Sequence, residues 1–170
     1  MQKNSLPILK NNLQDNIICI VGLGYVGLPL AVEFSKIFNV IGYDNNERRI
    51  KELNIGEDKT KEIPSDRLLN INNLKFTNQE SDISSADIYI ITVPTPVDKN
   101  NNPDLTPIKT ASSFIGANLN QNNIVIYEST VFPGCTEEIC VPILEEKSNL
   151  KYNKEFFCGY SPERINPGDK

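Results

Sequence analysis

Apolar residues along the chain fall into short β-branched runs separated by segments of helical period, the pattern of a mostly parallel sheet with helices on both faces. The run NIICIVG, 16–22, predicts a buried first strand. From there Val26, Leu30, Phe34 and Phe38 recur every four residues, which predicts an amphipathic helix laying that stripe on the sheet. Pro29 fits such a helix only in its first turn, where amides lack intrahelical partners anyway. NVIGYD, 39–44, predicts a second strand and NNERRIKELN, 45–54, a second helix. The polar stretch up to about Leu74 carries no periodicity that assigns it a structure. LKFT, ADIYIITV (86–93), NIVIYEST (123–130) and EFFCGYS (155–161) predict four further strands. Between them TPIKTASSFIGANL predicts a helix, and CTEEICVPILEE predicts a helix interrupted near Pro142. The run DKNNNP reads as a solvated loop, and the chain has no repeat beyond this alternation.

At 170 residues and 39% apolar content the chain can bury one sizeable core. We expect one domain over 16–170, preceded by a polar extension over 1–15. The formal charge is −5 and the 17 Lys and Arg are scattered singly, so no footprint for nucleic acid or an anionic membrane is expected. No run reaches the roughly 18 apolar residues of a membrane span, and the polar opening lacks a signal-peptide pattern. A cytoplasmic location is expected. The four cysteines form no CxxC pair and are expected to be buried free thiols. With no His in the chain, zinc chemistry and a Ser-His-Asp triad are not expected, nor is any metal site.

GLGYVG sets Gly22, Gly24 and Gly27 at GxGxxG spacing between a predicted strand and a predicted helix. The first glycine permits a tight turn, the second lets backbone approach a pyrophosphate, and the third lets helix and strand lie close. The helix start adds free amides and about half a positive charge. Asp44 follows about 20 residues on, at the end of the second strand, where an acid accepts hydrogen bonds from ribose hydroxyls. That combination predicts a Rossmann-like doubly wound domain and favours NAD over NADP, whose 2′-phosphate would meet the Asp44 charge. The loops VPTPVD and YESTVFPG leave the carboxyl ends of two more strands, where open α/β sheets bind ligands. The prolines of the first hold Thr95 in a stiff loop, and the second presents Glu128, Ser129 and Thr130.

GLGYVGLPLA, YD, VPTPVD with NPDLTP, YESTVFPG and GYSPERINPGD occur in an order and spacing that resembles the UDP-glucose/GDP-mannose dehydrogenase family. Its UDP-N-acetylhexosamine 6-dehydrogenase branch, acting on UDP-GlcNAc or UDP-GalNAc, is the nearest likeness. The resemblance covers roughly residues 16–170. It implies an NAD-dependent, two-step oxidation of a UDP-sugar C6 alcohol to a carboxylate, through an aldehyde held on a cysteine, in the synthesis of surface-polysaccharide precursors. By position it implies cofactor contacts at Tyr25, Val26, Asp44, Arg49, Thr95 and Thr130, beside the three glycines. Glu163 resembles the acid near the nicotinamide and the reacting carbon, with Thr130 at the same catalytic end. Arg164 and Ile165 resemble positions that touch the nucleotide sugar. Pro167 stands about where glucose-specific members carry a second acid, which favours an N-acetylated sugar. None of the four cysteines has the family's nucleophile setting. The central dimerisation segment and the UDP-binding domain have no counterpart in these 170 residues, so an amino-terminal piece of a homodimeric enzyme is expected, inactive alone. UDP-glucose 6-dehydrogenase and a stand-alone dinucleotide-binding module remain as alternatives.

Overall fold

The structure, a computed structural model, describes residues 10, 12–97, 99 and 102–162. Six parallel strands form one sheet: β1 (Ile17–Val21), β2 (Asn39–Tyr43), β3 (Leu74–Thr77), β4 (Ile88–Ile91), β5 (Ile124–Tyr127) and β6 (Phe157–Tyr160). Their spatial order is β3-β2-β1-β4-β5-β6. The order reverses direction at β1, and the loops leaving β1 and β4 therefore diverge and open a crevice at the carboxyl edge. β1, β4, β5 and β6 are two to four residues shorter than their apolar runs, because the flanking residues serve as turns and loop starts, while β2 is one residue shorter and β3 matches LKFT.

The helices are α1 (Gly27–Phe34), α2 (Glu47–Asn54), α3 (Ser65–Leu69), α4 (Glu80–Ile83), α5 (Thr106–Gly116) and α6 (Val141–Ser148). Strand residues alternate between two cores, one on each face. Ile18, Ile20, Val40 and Ile90 pack with Leu28, Val32, Ile50 and Leu68 of α1 to α3. Cys19, Ile41, Tyr89 and Tyr127 pack with Ile108 and Ile115 of α5 and Leu144 of α6. Both faces are covered, which is why the strand sequences are almost continuously apolar. The buried tyrosines are satisfied. Tyr89 Oη donates to the Ile83 carbonyl at 3.0 Å. Ser112 Oγ donates to the Ile108 carbonyl at 2.8 Å, so Tyr127 is the donor in its 2.7 Å bond to that hydroxyl.

Three expectations change. The fully buried face of α1 is Gly27, Leu28, Ala31 and Val32, whereas Val26, Leu30 and Phe34 are only half-buried. The helix ends at Phe34, so Phe38 lies beyond it and packs edge-on to Phe34 with ring centroids 6.0 Å apart. The helix after Cys135 is not broken at Pro142. A π-helical segment, Thr136–Cys140, runs directly into α6, and Pro142 sits in the first turn of α6. Widening the preceding turn relieves the carbonyl that the proline ring would otherwise strike. The unassigned polar stretch is ordered: Asp58 accepts from the amides of Thr60, Glu62 and Ile63, and Ile63 and Leu68 enter the core. All four cysteines are free thiols; three are buried and Cys158 is half-buried. Among the described residues no helix is long and apolar enough to cross a membrane.

Candidate functional site

The turn after β1 is fixed from both sides. Gly22 has φ +99°, a conformation that side chains disfavour. A Cβ on Gly27 would overlap the Gly22 carbonyl oxygen and the Thr92 hydroxyl, so helix and turn close up only around a glycine. Gly24 is the contrast. A Cβ there would meet nothing within 4 Å. The fold does not require this glycine; a ligand resting on the backbone would. Val26, at the head of α1, contributes no capping side chain, whereas Asn46 caps α2 by accepting from the Arg48 and Arg49 amides. The uncapped amides of α1 suit a phosphate.

Leu23 is the peg of this turn. Its side chain is wholly buried, its N–H donates to Asp44 Oδ2 at 2.9 Å, and its carbonyl accepts from Arg49 Nε at 2.9 Å. Asp44 Oδ1 also accepts from the Asn46 amide at 2.9 Å. Each carboxylate oxygen keeps a lone pair, so Asp44 can hold the turn and still accept from a ribose. The Arg49 guanidinium is turned inward. It lies 2.8 Å from Asp58 Oδ1 as an ion pair between side chains that are 10% and 1% exposed. Burial pushes the Asp58 carboxyl up, but hydrogen bonds from Thr60 and Ile63 and the Arg49 guanidinium outweigh it and leave it below its ordinary value.

From this turn a crevice of about 680 Å³ opens between β1, β2 and α5, with Gly22, Asp44, Asn46, Pro94, Ala111 and Phe114 among its walls. Phe114 stacks on Tyr43 with ring centroids 4.6 Å apart. On the other side hydroxyls tie the loops after β4, β5 and β6 together. Thr95 Oγ1 donates to the Thr130 carbonyl at 2.7 Å, Ser129 Oγ to the Val93 carbonyl at 2.7 Å, and Ser161 Oγ to Glu128 Oε1 at 2.9 Å. The structure thus brings Thr95 beside Thr130, and it gathers Gly22, Gly24, Tyr25, Val26, Gly27 and Asp44 at the turn. Arg49 supports the turn from beneath. Glu163, Arg164 and Ile165 lie outside the described residues. Thr92 was missed by sequence reasoning: its hydroxyl lies 2.7 Å from the Gly22 carbonyl, across strands 70 residues apart in the chain. Only the pairing of β1 with β4 reveals it.

Burial pushes Cys135 up to about 11 and Cys158 up to about 12, and raises Cys19 and Cys140 as well. Among the described residues no group of three His, Cys, Asp or Glu is placed to hold a metal ion.

Comparison with known proteins agrees with this geometry. The profile of the UDP-glucose/GDP-mannose dehydrogenase family, NAD binding domain, matches residues 16–170. A UDP-N-acetyl-D-glucosamine 6-dehydrogenase of Pseudomonas aeruginosa is 54% identical over 158 residues, 93% of this chain and 37% of that protein. Protein CapL of Staphylococcus aureus is 55% identical over 153 residues, 90% of this chain and 36% of that protein. Among solved structures, a UDP-D-ManNAc dehydrogenase from Pyrococcus horikoshii superposes with TM-score 0.81 at 34% identity, covering 89% of this chain and 37% of that one. The chain therefore spans little more than a third of the length of the curated relatives it matches. Sequence, fold and turn agree that it belongs to the UDP-glucose/GDP-mannose dehydrogenase family as an NAD-binding domain, with NAD as its cofactor.

Proposed function

We propose that this chain is the cofactor-holding part of a longer nucleotide-sugar 6-dehydrogenase that oxidises the C6 alcohol of a UDP-N-acetylhexosamine to a carboxylate. Bound NAD would supply the hydride acceptor for the two oxidations. The observation that carries the sugar class is the 54% identity to a UDP-N-acetyl-D-glucosamine 6-dehydrogenase, against 32% to 37% for UDP-N-acetyl-D-mannosamine dehydrogenases. The place of Pro167 in the tail supports the same choice. The name CapL on a relative of similar identity supports a role in surface polysaccharide.

The chain's own residues divide the work. Amides at Gly24 to Val26 receive the diphosphate, and Asp44 accepts from the adenosine ribose. Thr95 has given its one proton to the Thr130 carbonyl, so toward a ligand it can only accept. That suits the amide N–H of a nicotinamide or a ribose hydroxyl. Glu163 positions a water or takes a proton near the reacting carbon, Thr130 serves the same catalytic end, and Arg164 and Ile165 meet the nucleotide sugar. The thiol that carries the aldehyde comes from outside these 170 residues, since none of the four cysteines here has the family's nucleophile setting. These residues alone bind NAD and do not turn over; the longer protein is a cytoplasmic homodimer. Turnover of UDP-GlcNAc, UDP-GalNAc and UDP-glucose by the full-length protein, followed by reduced nicotinamide, tests the reading. A strong preference for an N-acetylated sugar is expected; a preference for UDP-glucose refutes it.

A further inference from the structure

The dinucleotide's diphosphate and ribose are assigned to β1 and β2, which leaves its base to be placed. The sheet order does this. The glycine turn follows β1, Asp44 follows β2, and Glu80 opens α4 just after β3. Adjacent strands lie about 4.8 Å apart, so diphosphate site, ribose site and Glu80 are stepped outward along one edge over about 10 Å. An adenosine laid along that edge reaches β3 with its base. Glu80 lines the same crevice as Asp44. The facing wall is the side of α5 that carries Pro107, Ala111 and Phe114, an apolar surface on which a flat ring can rest. Phe114 is held in place by its stack on Tyr43.

Two further acids border the space, and they differ. Asp104 is committed to α5, where Oδ1 accepts from the Thr106 amide at 2.9 Å. Glu80 is exposed and its carboxylate has no hydrogen-bond or ion-pair partner among the described residues. Its charge is nevertheless near the crevice wall: after burial it is the next cause that raises the Tyr43 hydroxyl, ahead of Asp44.

We propose that Glu80 reads the base of the dinucleotide, accepting a hydrogen bond from the exocyclic amino group of adenine while the ring rests against Ala111 and Phe114. The inference rests on the NAD assignment of the crevice. A carboxylate only accepts, so it favours the 6-amino donor of adenine and disfavours a 6-oxo base. Glu80 thereby acts as a specificity-determining residue distinct from Asp44, which reads the sugar.

Calorimetric titration of the protein with NAD and with nicotinamide hypoxanthine dinucleotide, which carries oxygen in place of the amino group, tests this. NAD is expected to bind about five- to tenfold more tightly, less than a buried charge-assisted hydrogen bond would give because Glu80 is exposed to solvent. Glu80→Ala should bring that ratio close to one. Glu80→Gln, whose amide both accepts and donates, should improve binding of the hypoxanthine analogue and keep most of the NAD affinity. Both variants should keep the wild-type melting temperature, since the Glu80 carboxylate has no hydrogen-bond or ion-pair partner among the described residues. Equal binding of the two dinucleotides by the wild type overturns the proposal. So does a ratio that Glu80→Ala leaves unchanged, or a gain in NADP binding as its sole effect, which would make Glu80 a charge screen. Asp44→Ala is the control: if it weakens NAD while the base ratio ignores Glu80, this proposal fails and the cofactor reading stands. If the wild type binds neither dinucleotide, both fail.

Discussion

The two walls of the crevice are held by different means. On the β1 side the backbone itself is the shape: Gly22 and Gly27 are required sterically, and both polar groups of Leu23 are pinned, one by Asp44 and one by Arg49. On the β4–β5 side the loops are joined by single hydroxyls, Thr95 to the Thr130 carbonyl and Ser129 to the Val93 carbonyl. A surface made of glycines and buried charge cannot yield without unfolding its surroundings. Two loops joined by two hydroxyl hydrogen bonds, each worth about 1 kcal/mol net, can adjust. On the proposed reading the rigid wall takes the diphosphate and ribose, and the adjustable wall lies toward the nicotinamide end.

The largest expected effect separates two glycines of one turn. Gly27→Ala forces a methyl into the Gly22 carbonyl and should cost more than about 3 kcal/mol of stability in urea unfolding. Gly24→Ala should leave stability within about 0.5 kcal/mol while weakening NAD, because its methyl enters only the ligand's space. If the two variants lose stability equally, the division between fold and ligand is wrong.

Arg49→Met comes next. It leaves Asp58 buried without its cation and should cost about 3 kcal/mol. The same pair gives a pH test. The folded Asp58 carboxyl titrates below its unfolded value near 3.9. Its contribution is therefore complete above that value and is lost as pH falls through the lower folded one. Unfolding free energy should drop as pH falls from about 4 towards 2, and Asp58→Asn should flatten that slope. An unchanged slope would show the pair to be inert.

Asp44→Ala should lower NAD affinity by about 1.5 to 3 kcal/mol, and more than Asp44→Asn, whose amide oxygen still accepts. Equal losses would remove the carboxylate from ribose recognition. The smallest effect is on the adjustable wall: Thr95→Val should weaken NAD by about 1 kcal/mol and Thr95→Ser should restore it. Failure of serine to rescue would mean that the methyl, not the hydroxyl, matters.

What was legible in the sequence follows the same division. The six strands were legible because β-branched runs buried on both faces have one reading, and the glycine turn because glycine spacing records steric demand directly. The buried face of α1 was misjudged, since a four-residue period anchored on Val26 ignores that the helix starts at Gly27 and ends at Phe34. The order around Asp58 shows in no periodicity; it comes from the amides of Thr60, Glu62 and Ile63 and from a charge nine positions earlier in the chain, at Arg49. By motif Arg49 resembles a ligand contact, and only its burial shows that it also braces the turn. Thr92 and Leu23 were silent because their partners are set by strand order.

The most direct test is a crystal structure of the protein with NAD bound. The diphosphate should lie on the amides at Gly24 to Val26, with the adenosine ribose hydroxyls on the Asp44 carboxylate. An adenosine bound elsewhere, or a diphosphate away from the glycine turn, would contradict the assignment of this crevice.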